Sequence, residues 1–275
     1  HQDQLFTRQR IVLQLMREQG YITPEQEASA RKEKITFNEN KERITAPHFV
    51  FYVRDQLEKE FGPDVIDQGG FKVTTTLDVT KQKIAEEAVV HGAPKFERFG
   101  ATNAALVSID AKPGQILAMV GSKDYFDDAI DGKVNVATRA RQPGSSFKPI
   151  VYATAFEKGY TPNTLLYDVI TTFKNYPQDY IPRNYTGKVY GLVTMKQALA
   201  GSLNIPAVKT LYLAGIDRVL DVSARLGYTT LADRSRFGLS LVLGGGEVTL
   251  LEHTQAYSAL AQEGTLHTAT GILKV

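Results

Sequence analysis

Arg141-Gln142-Pro143-Gly144-Ser145-Ser146-Phe147-Lys148-Pro149, running on through Ile150-Val151-Tyr152-Ala153-Thr154-Ala155-Phe156-Glu157-Lys158, is the stretch on which the reading of this chain turns. Pro143-Gly144 makes a turn, and the apolar residues that follow recur at helical spacing. Ser145 is therefore expected at the N-cap or first position of a helix, with Lys148 one turn away on the same face. A serine hydroxyl is a poor nucleophile until a base takes its proton, and a neutral amine one turn away is such a base. Neutrality is the demand: from a free pKa near 10.4 it costs about 4.6 kcal/mol at pH 7, so burial or a second cation must depress the lysine. A helix start also offers unsatisfied N–H groups and a positive dipole end, which suit an oxyanion developing at Ser145. Pro149 is early enough in the helix to be tolerated. The spacing alone is weak, since Ser29-Ala30-Arg31-Lys32 has it too and reads as a solvated helix.

Further along, Leu199-Ala200-Gly201-Ser202-Leu203-Asn204-Ile205-Pro206 sets a serine and an asparagine two apart, between a helix capped by Thr194 and one that Pro206 opens. On an extended loop those two side chains point to one side. The hydroxyl can pass a proton between base and leaving amine, while the carboxamide both donates to and accepts from a peptide-like substrate. The alternative is that both are loop caps. Between the two segments, Tyr180, Pro182, Asn184 and Tyr185 form a Tyr-x-Pro-x-Asn-Tyr loop that either walls a substrate groove or anchors itself by its aromatics.

Outward from these segments, Thr194 with Gln197 and Thr249 with Glu252 have capping-box spacing, and Gly159, Gly215, Gly227 and Gly264 sit where helices end, so the second half reads as helix-rich. Asn103 to Ile109 and Gln115 to Val120 read as a hairpin about Asp110-Ala111-Lys112-Pro113-Gly114. Gly70 to Leu77 alternates like a strand, Val79 to Val90 reads as a helix capped by Asp78 or Thr80, and the apolar run His48 to Val53 leads into a helix through about Phe61. Residues 3 to 19 form an amphipathic helix, fit for packing on a neighbouring domain or lying on a membrane surface, with Gly20 as its stop. Thr23 to Lys41 reads as a short helix followed by an exposed connector. The expected division is 1–45, 46–100 and 101–275.

The 275 residues are 43% hydrophobic and 23% charged, which excludes wholesale disorder, and no apolar run approaches the roughly 20 residues of a membrane span. A net charge of +2 supplies no field for nucleic acid. The absence of cysteine removes disulfides, thiolate catalysis and zinc ribbons. His48, His91, His253 and His267 have no metal spacing, so no metal or other cofactor is expected; Glu252-His253 reads as surface or as support behind a site. Gly244-Gly245-Gly246 lacks the lysine and serine of a phosphate loop and reads as close packing or a turn. The start, His1-Gln2-Asp3-Gln4, reads as a piece of something longer.

With these segments in view, the chain resembles the class A, bifunctional penicillin-binding proteins. Gln142 to Pro149, then Gly191-Leu192-Val193-Thr194 leading into Ser202-Leu203-Asn204-Ile205-Pro206-Ala207-Val208, then Gly246-Glu247-Val248-Thr249-Leu250-Leu251-Glu252, look like their transpeptidase domain in three ordered matches. Arg17 to Thr23 looks like the end of the preceding glycosyltransferase domain, and Phe71 to Leu77 like the linker. The resemblance implies an α/β (α+β) fold like that of serine β-lactamases and penicillin-binding proteins, an antiparallel sheet with a helical subdomain, truncated before the last sheet strands. It implies peptidoglycan D,D-transpeptidation on the outer face of a bacterial cytoplasmic membrane, in a membrane-anchored parent protein. Ser145 would attack the D-Ala-D-Ala bond of a stem peptide, with Lys148 as base, Ser202 as proton relay, and Asn204 and Tyr185 as substrate ligands. Penicillins and other β-lactams would acylate the same serine, and a lipid-linked glycan precursor would belong to the missing domain.

Two departures qualify that picture. The family's third motif, Lys-Thr/Ser-Gly, is not found after Asn204, and losing one oxyanion donor costs about 10² to 10³ in rate, so the segment alone is expected to be a poor catalyst with the motif lying downstream. Leu250 stands where the family commonly has proline. The rivals are a non-catalytic envelope scaffold or truncated copy, and a related D,D-carboxypeptidase or β-lactamase hydrolase. The hydrolase is the weaker reading, because none of Glu247, Glu252 and Glu263 stands in the Glu-x-x-x-Asn form that would activate its water.

Overall fold

The structure, a computed structural model, describes residues 2–33, 44–174 and 178–275. It divides into two compact units, 1–43 and 44–275. In the first, α1 (Gln2–Glu18) and α2 (Pro24–Lys32) pack together. Thr23 Oγ1 accepts from Gln26 N at 3.2 Å and Gln26 Oε1 accepts from Thr23 N at 2.8 Å, a reciprocal cap with Pro24 at the first helical position. The buried Glu27 is paired with Arg17 at 3.1 Å and Arg31 at 2.5 Å. Leu5, Val12, Leu15 and Met16 of α1 are exposed. Ser29 and Lys32 lie exposed on α2, as the chance motif predicted. The expected connector after it falls largely on 34–43, outside the described residues.

The second unit opens with α3 (Pro47–Phe61), α4 (Pro63–Gln68), the two-residue β1 (Thr74–Thr75), α5 (Val79–Gly92) and α6 (Pro94–Glu97). Asp78 caps α5 by accepting from the N–H groups of Thr80 and Lys81. The alternation over 70–77 overstates its strand: a ladder needs a partner along its length, and β1 finds one only in β6 (Ile272–Lys274), with the register broken between Thr74 and Thr75. The predicted hairpin is present as β2 (Leu106–Asp110) and β3 (Gln115–Val120). Gly114, at φ +75, closes it; a Cβ there would lie 2.5 Å from Thr268 O, so the close approach of 267–268 requires glycine. Phe49, Val53 and Leu57 of α3 pack with Ile116 and Met119, while α5 sets Ala85 and Val89 against Ala118 and Val120.

The remainder carries α7 (Lys148–Glu157), β4 (Leu165–Asp168) paired with β5 (Gly191–Thr194), α8 (Met195–Ala200), α9 (Asn204–Ala214), α10 (Ile216–Arg225) and α11 (Leu250–Ala261). α7 and α9 cross at the centre, burying Ile150, Val151, Tyr152, Val208 and Leu211 with Met195 of α8 and Val219 of α10. Among the described residues the three two-stranded sheets are all antiparallel, and with the helical second half they give the expected mixed architecture. The box at Thr194 and Gln197 forms in both directions. At Thr249 only half of it forms: Thr249 Oγ1 accepts from Glu252 N at 3.1 Å, but Glu252 Oε1 is taken by the hydroxyl and N–H of Thr229 instead.

Candidate active site

Ser145 is neither an N-cap nor the first residue of an α-helix, as the spacing predicted. It is the second residue of a 3₁₀ turn, Gly144–Phe147, that runs straight into α7. Gly144 at φ +60 starts the turn, and the Ser146 hydroxyl closes it by donating to Pro143 O at 2.6 Å. Having spent its proton there, Ser146 Oγ accepts from His253 Nε2 at 2.9 Å. The other ring nitrogen, Nδ1, then accepts from the Tyr228 hydroxyl at 2.6 Å. The Tyr257 hydroxyl donates to Ser146 O at 2.6 Å. Ser145 itself is exposed, and among the described residues its Oγ makes no hydrogen bond.

Lys148 follows at the head of α7, and its side chain is 1% exposed. Its Nζ donates to Ser202 O at 2.6 Å, Ser202 Oγ at 3.1 Å and Asn204 Oδ1 at 2.8 Å. The amine predicted to serve Ser145 thus ends among the residues of the second segment and joins the two segments, while among the described residues it makes no hydrogen bond to Ser145. Burial lowers the Lys148 pKa from the ordinary 10.5 to about 8, and no second cation is involved.

Ser202 and Asn204 converge by a route other than an extended loop. Ser202 adopts a left-handed conformation, φ +50, sparsely populated for a non-glycine residue, and the bond from Lys148 Nζ to its carbonyl helps hold it. Asn204 is already the first residue of α9, so Pro206 lies within the first turn rather than opening the helix. Asn204 Nδ2 donates to Arg183 O at 2.9 Å, which turns its Oδ1 toward the amine.

The Tyr-x-Pro-x-Asn-Tyr loop is anchored by Tyr180 packed against the core, as one of its two readings had it, and also by Asn184, a polar anchor that reading did not include. Asn184 is buried, 5% exposed, and anchors the loop; Tyr185 is fully exposed and touches none of the Lys148 cluster. Asn184 Oδ1 accepts from Asn204 N at 2.8 Å and Ile205 N at 3.2 Å, and its Nδ2 donates to the fully buried Asp168. Sequence reasoning missed Asp168, a polar end on the apolar run Leu165-Leu166-Tyr167 with no motif around it. Of the two readings given to Glu252-His253, surface or support behind a site, the ring's bonds to Ser146 and Tyr228 favour support. The triple glycine packs closely, as read: a Cβ on Gly244 would lie 2.1 Å from Gly144 N. Among the described residues no three His, Asp or Glu side chains are grouped to hold a metal ion, and no helix is long and apolar enough to cross a membrane.

Residues 104–272 match the penicillin binding protein transpeptidase domain model. Penicillin-binding protein 1A of Aquifex aeolicus is 28% identical over 96% of the chain, which covers 47% of that protein. Penicillin-binding protein 2D of Bacillus subtilis is 31% identical over 98% of the chain, which covers 39% of that one. The chain thus spans less than half the length of these relatives. Among solved structures, penicillin-binding protein 1A of Haemophilus influenzae superposes with a TM-score of 0.67 at 23% identity, over 94% of this chain and 52% of that one. PonA1 of Mycobacterium tuberculosis, solved in complex with penicillin V, gives 0.68 at 23% identity, over 83% of this chain and 62% of that one. At that identity the two superpositions speak for the fold.

Proposed function

The chain belongs to the penicillin-binding protein transpeptidase domain family, in its class A form, and from that membership we propose that it is the acyl-transferring part of a peptidoglycan D,D-transpeptidase. In the proposed reaction Ser145 Oγ attacks the carbonyl of the penultimate D-alanine of a stem peptide. The bond to the terminal D-alanine breaks, that residue leaves with a proton on its amine, and the acyl group stays as an ester on Ser145. An amine of a neighbouring stem peptide then takes the acyl group and returns the hydroxyl. Lys148 removes the serine proton, Ser202 carries it toward the leaving nitrogen, and Asn204 holds the substrate amide. Tyr185 meets the peptide from the solvent side. β-Lactams would form the same ester and stay; PonA1, a structural neighbour, has been solved in complex with penicillin V.

The observation that carries this reading is the buried amine of Lys148, held at 2.6–3.1 Å by Ser202 and Asn204 with its pKa brought to about 8. Around it, residues 1–45 would be the tail of a glycosyltransferase domain, 46–100 a linker and 101–275 the transpeptidase domain. The parent protein would be anchored on the outer face of the cytoplasmic membrane and take lipid-linked glycan precursor at its other centre. These 275 residues carry no Lys-Thr/Ser-Gly segment after Asn204 and by themselves would turn over slowly. The test is labelling of the full-length protein by a fluorescent penicillin, with mass mapping of the adduct. Wild type is expected to carry it on Ser145 and Ser145→Ala to carry none; labelling indifferent to that change would leave a scaffold as the better reading.

A further inference from the structure

Asp168 closes β4 with no solvent exposure, and among the described residues its hydrogen bonds come from amide N–H groups. Asn184 Nδ2 donates to both its oxygens, at 2.9 and 2.8 Å, and the backbone of Tyr190 donates to Oδ2 at 2.9 Å. A buried carboxylate left without such donors is strongly unfavourable, so this cluster forms as a unit or not at all.

Its geometry has a consequence for Asn184. A carboxylate only accepts, so the carboxamide must turn its NH₂ toward Asp168, a choice reinforced by the bond from Nδ2 to Lys188 O at 2.9 Å. That leaves Oδ1 aimed the other way, at the N–H groups of Asn204 and Ile205. These are the first two residues of α9, whose own N-cap, Leu203, has no side chain able to accept. Asn184 therefore caps α9 from a loop twenty residues upstream of Asn204, and the carbonyl of Arg183 beside it fixes the Asn204 side chain. Flipped, the same carboxamide would set NH₂ against two N–H donors and oxygen against the carboxylate.

We propose that Asp168 and Asn184 form a positioning pair that holds the Ser202–Asn204 segment against the amine of Lys148, Asp168 fixing the orientation of the Asn184 carboxamide and Asn184 fixing the start of α9. This rests on the acyl-transfer reading, since it assigns the pair a part in that reaction. Neither residue touches the amine; both act through Asn204 and the backbone at Ile205.

The test uses full-length protein and the second-order rate of fluorescent-penicillin acylation across pH, beside the melting temperature. N184D sets two carboxylates face to face and is expected to slow acylation roughly ten- to a hundredfold, the scale of an ångström-sized misplacement. It is also expected to move the rising limb of the pH profile upward as water reaches Lys148. The exchanged pair D168N/N184D restores a donor to one partner and an acceptor toward α9 while losing the bond to Lys188 O, and is expected to return the rate to within about fivefold of wild type, and the limb with it. The proposal is overturned if folded N184D acylates like wild type with an unmoved limb, or if the exchanged pair regains melting temperature without regaining rate. Should N184D fail to fold, the exchanged pair decides by the same rate and limb. Wild type that is unlabelled at Ser145 sinks the functional reading itself, a result visible before any variant is compared.

Discussion

Lys148 shows how far one side chain's surroundings set its chemistry. Free in water its neutral form costs about 4.6 kcal/mol at pH 7; with the pKa brought to about 8 most of that cost is gone. In the proposed reaction only the neutral amine acts. Acylation by a β-lactam should therefore rise with pH along a limb centred near 8, and Lys148→Ala should lower the rate about 10² to 10⁴-fold and remove the limb; stopped-flow labelling from pH 6 to 9.5 reads both. Tyr185 belongs to the opposite case. Being fully exposed, Tyr185→Ala should leave unfolding free energy within about 0.5 kcal/mol while weakening capture of a stem peptide, a KM effect with kcat nearly unchanged, measured in urea titrations and in a D-alanine release assay. Lys148, Ser202 and Asn204 could be singled out from local type and spacing, and the structure brings those three together. Asp168 could not be, and His253 was read only as surface or support, because their partners, Asn184 for one and Ser146 for the other, lie on other elements.

At the scale of elements, the turn that bears Ser145 is shaped as much by its neighbour as by its own residues. The 3₁₀ turn Leu239–Leu243 ends on Gly244 at φ +85, whose Cα hydrogens face the backbone of Gly144. Gly244→Ala combines a strained φ with a Cβ 2.1 Å from Gly144 N and 2.4 Å from its Cα, backbone atoms that cannot swing aside like the end of a flexible side chain. It should destabilise by about 1 to 3 kcal/mol and displace the Ser145 turn, so that penicillin acylation falls in protein that still melts cooperatively. Helix ends were well read from sequence where both partners lie within four residues, as in the Thr194–Gln197 box. The Thr249–Glu252 box and the 70–77 strand were overread for one reason: Glu252 and β1 each take their partner from far along the chain, Thr229 and β6.

At the scale of the second unit, its first helix is tied to the segment that follows β3 through His48, buried on α3, whose Nε2 lies 2.9 Å from Ser122 Oγ while that hydroxyl donates to Gly132 O at 2.8 Å. Burial holds the His48 pKa near 4 against an ordinary 6.5. The folded state then binds fewer protons than the unfolded state between those values. The stability that His48 contributes is thus present above pH 6.5 and lost as pH falls toward 4. His48→Gln should flatten that acid dependence relative to wild type in urea titrations at pH 7, 5.5 and 4.5. Sequence alone determined what local chemistry can determine: the helix-rich second half, the 106–120 hairpin, the capped helix starts and the two motif segments, since periodicity, turn residues and caps act over a few residues. Only the tertiary structure decided that the Lys148 amine is buried among Ser202 and Asn204, that Asn184 rather than α9 itself supplies that helix's cap, and that Ser145 rides a 3₁₀ turn pressed against Gly244. Burial, desolvation and long-range hydrogen bonds depend on which distant segments meet in space, and neighbours along the chain carry no record of it.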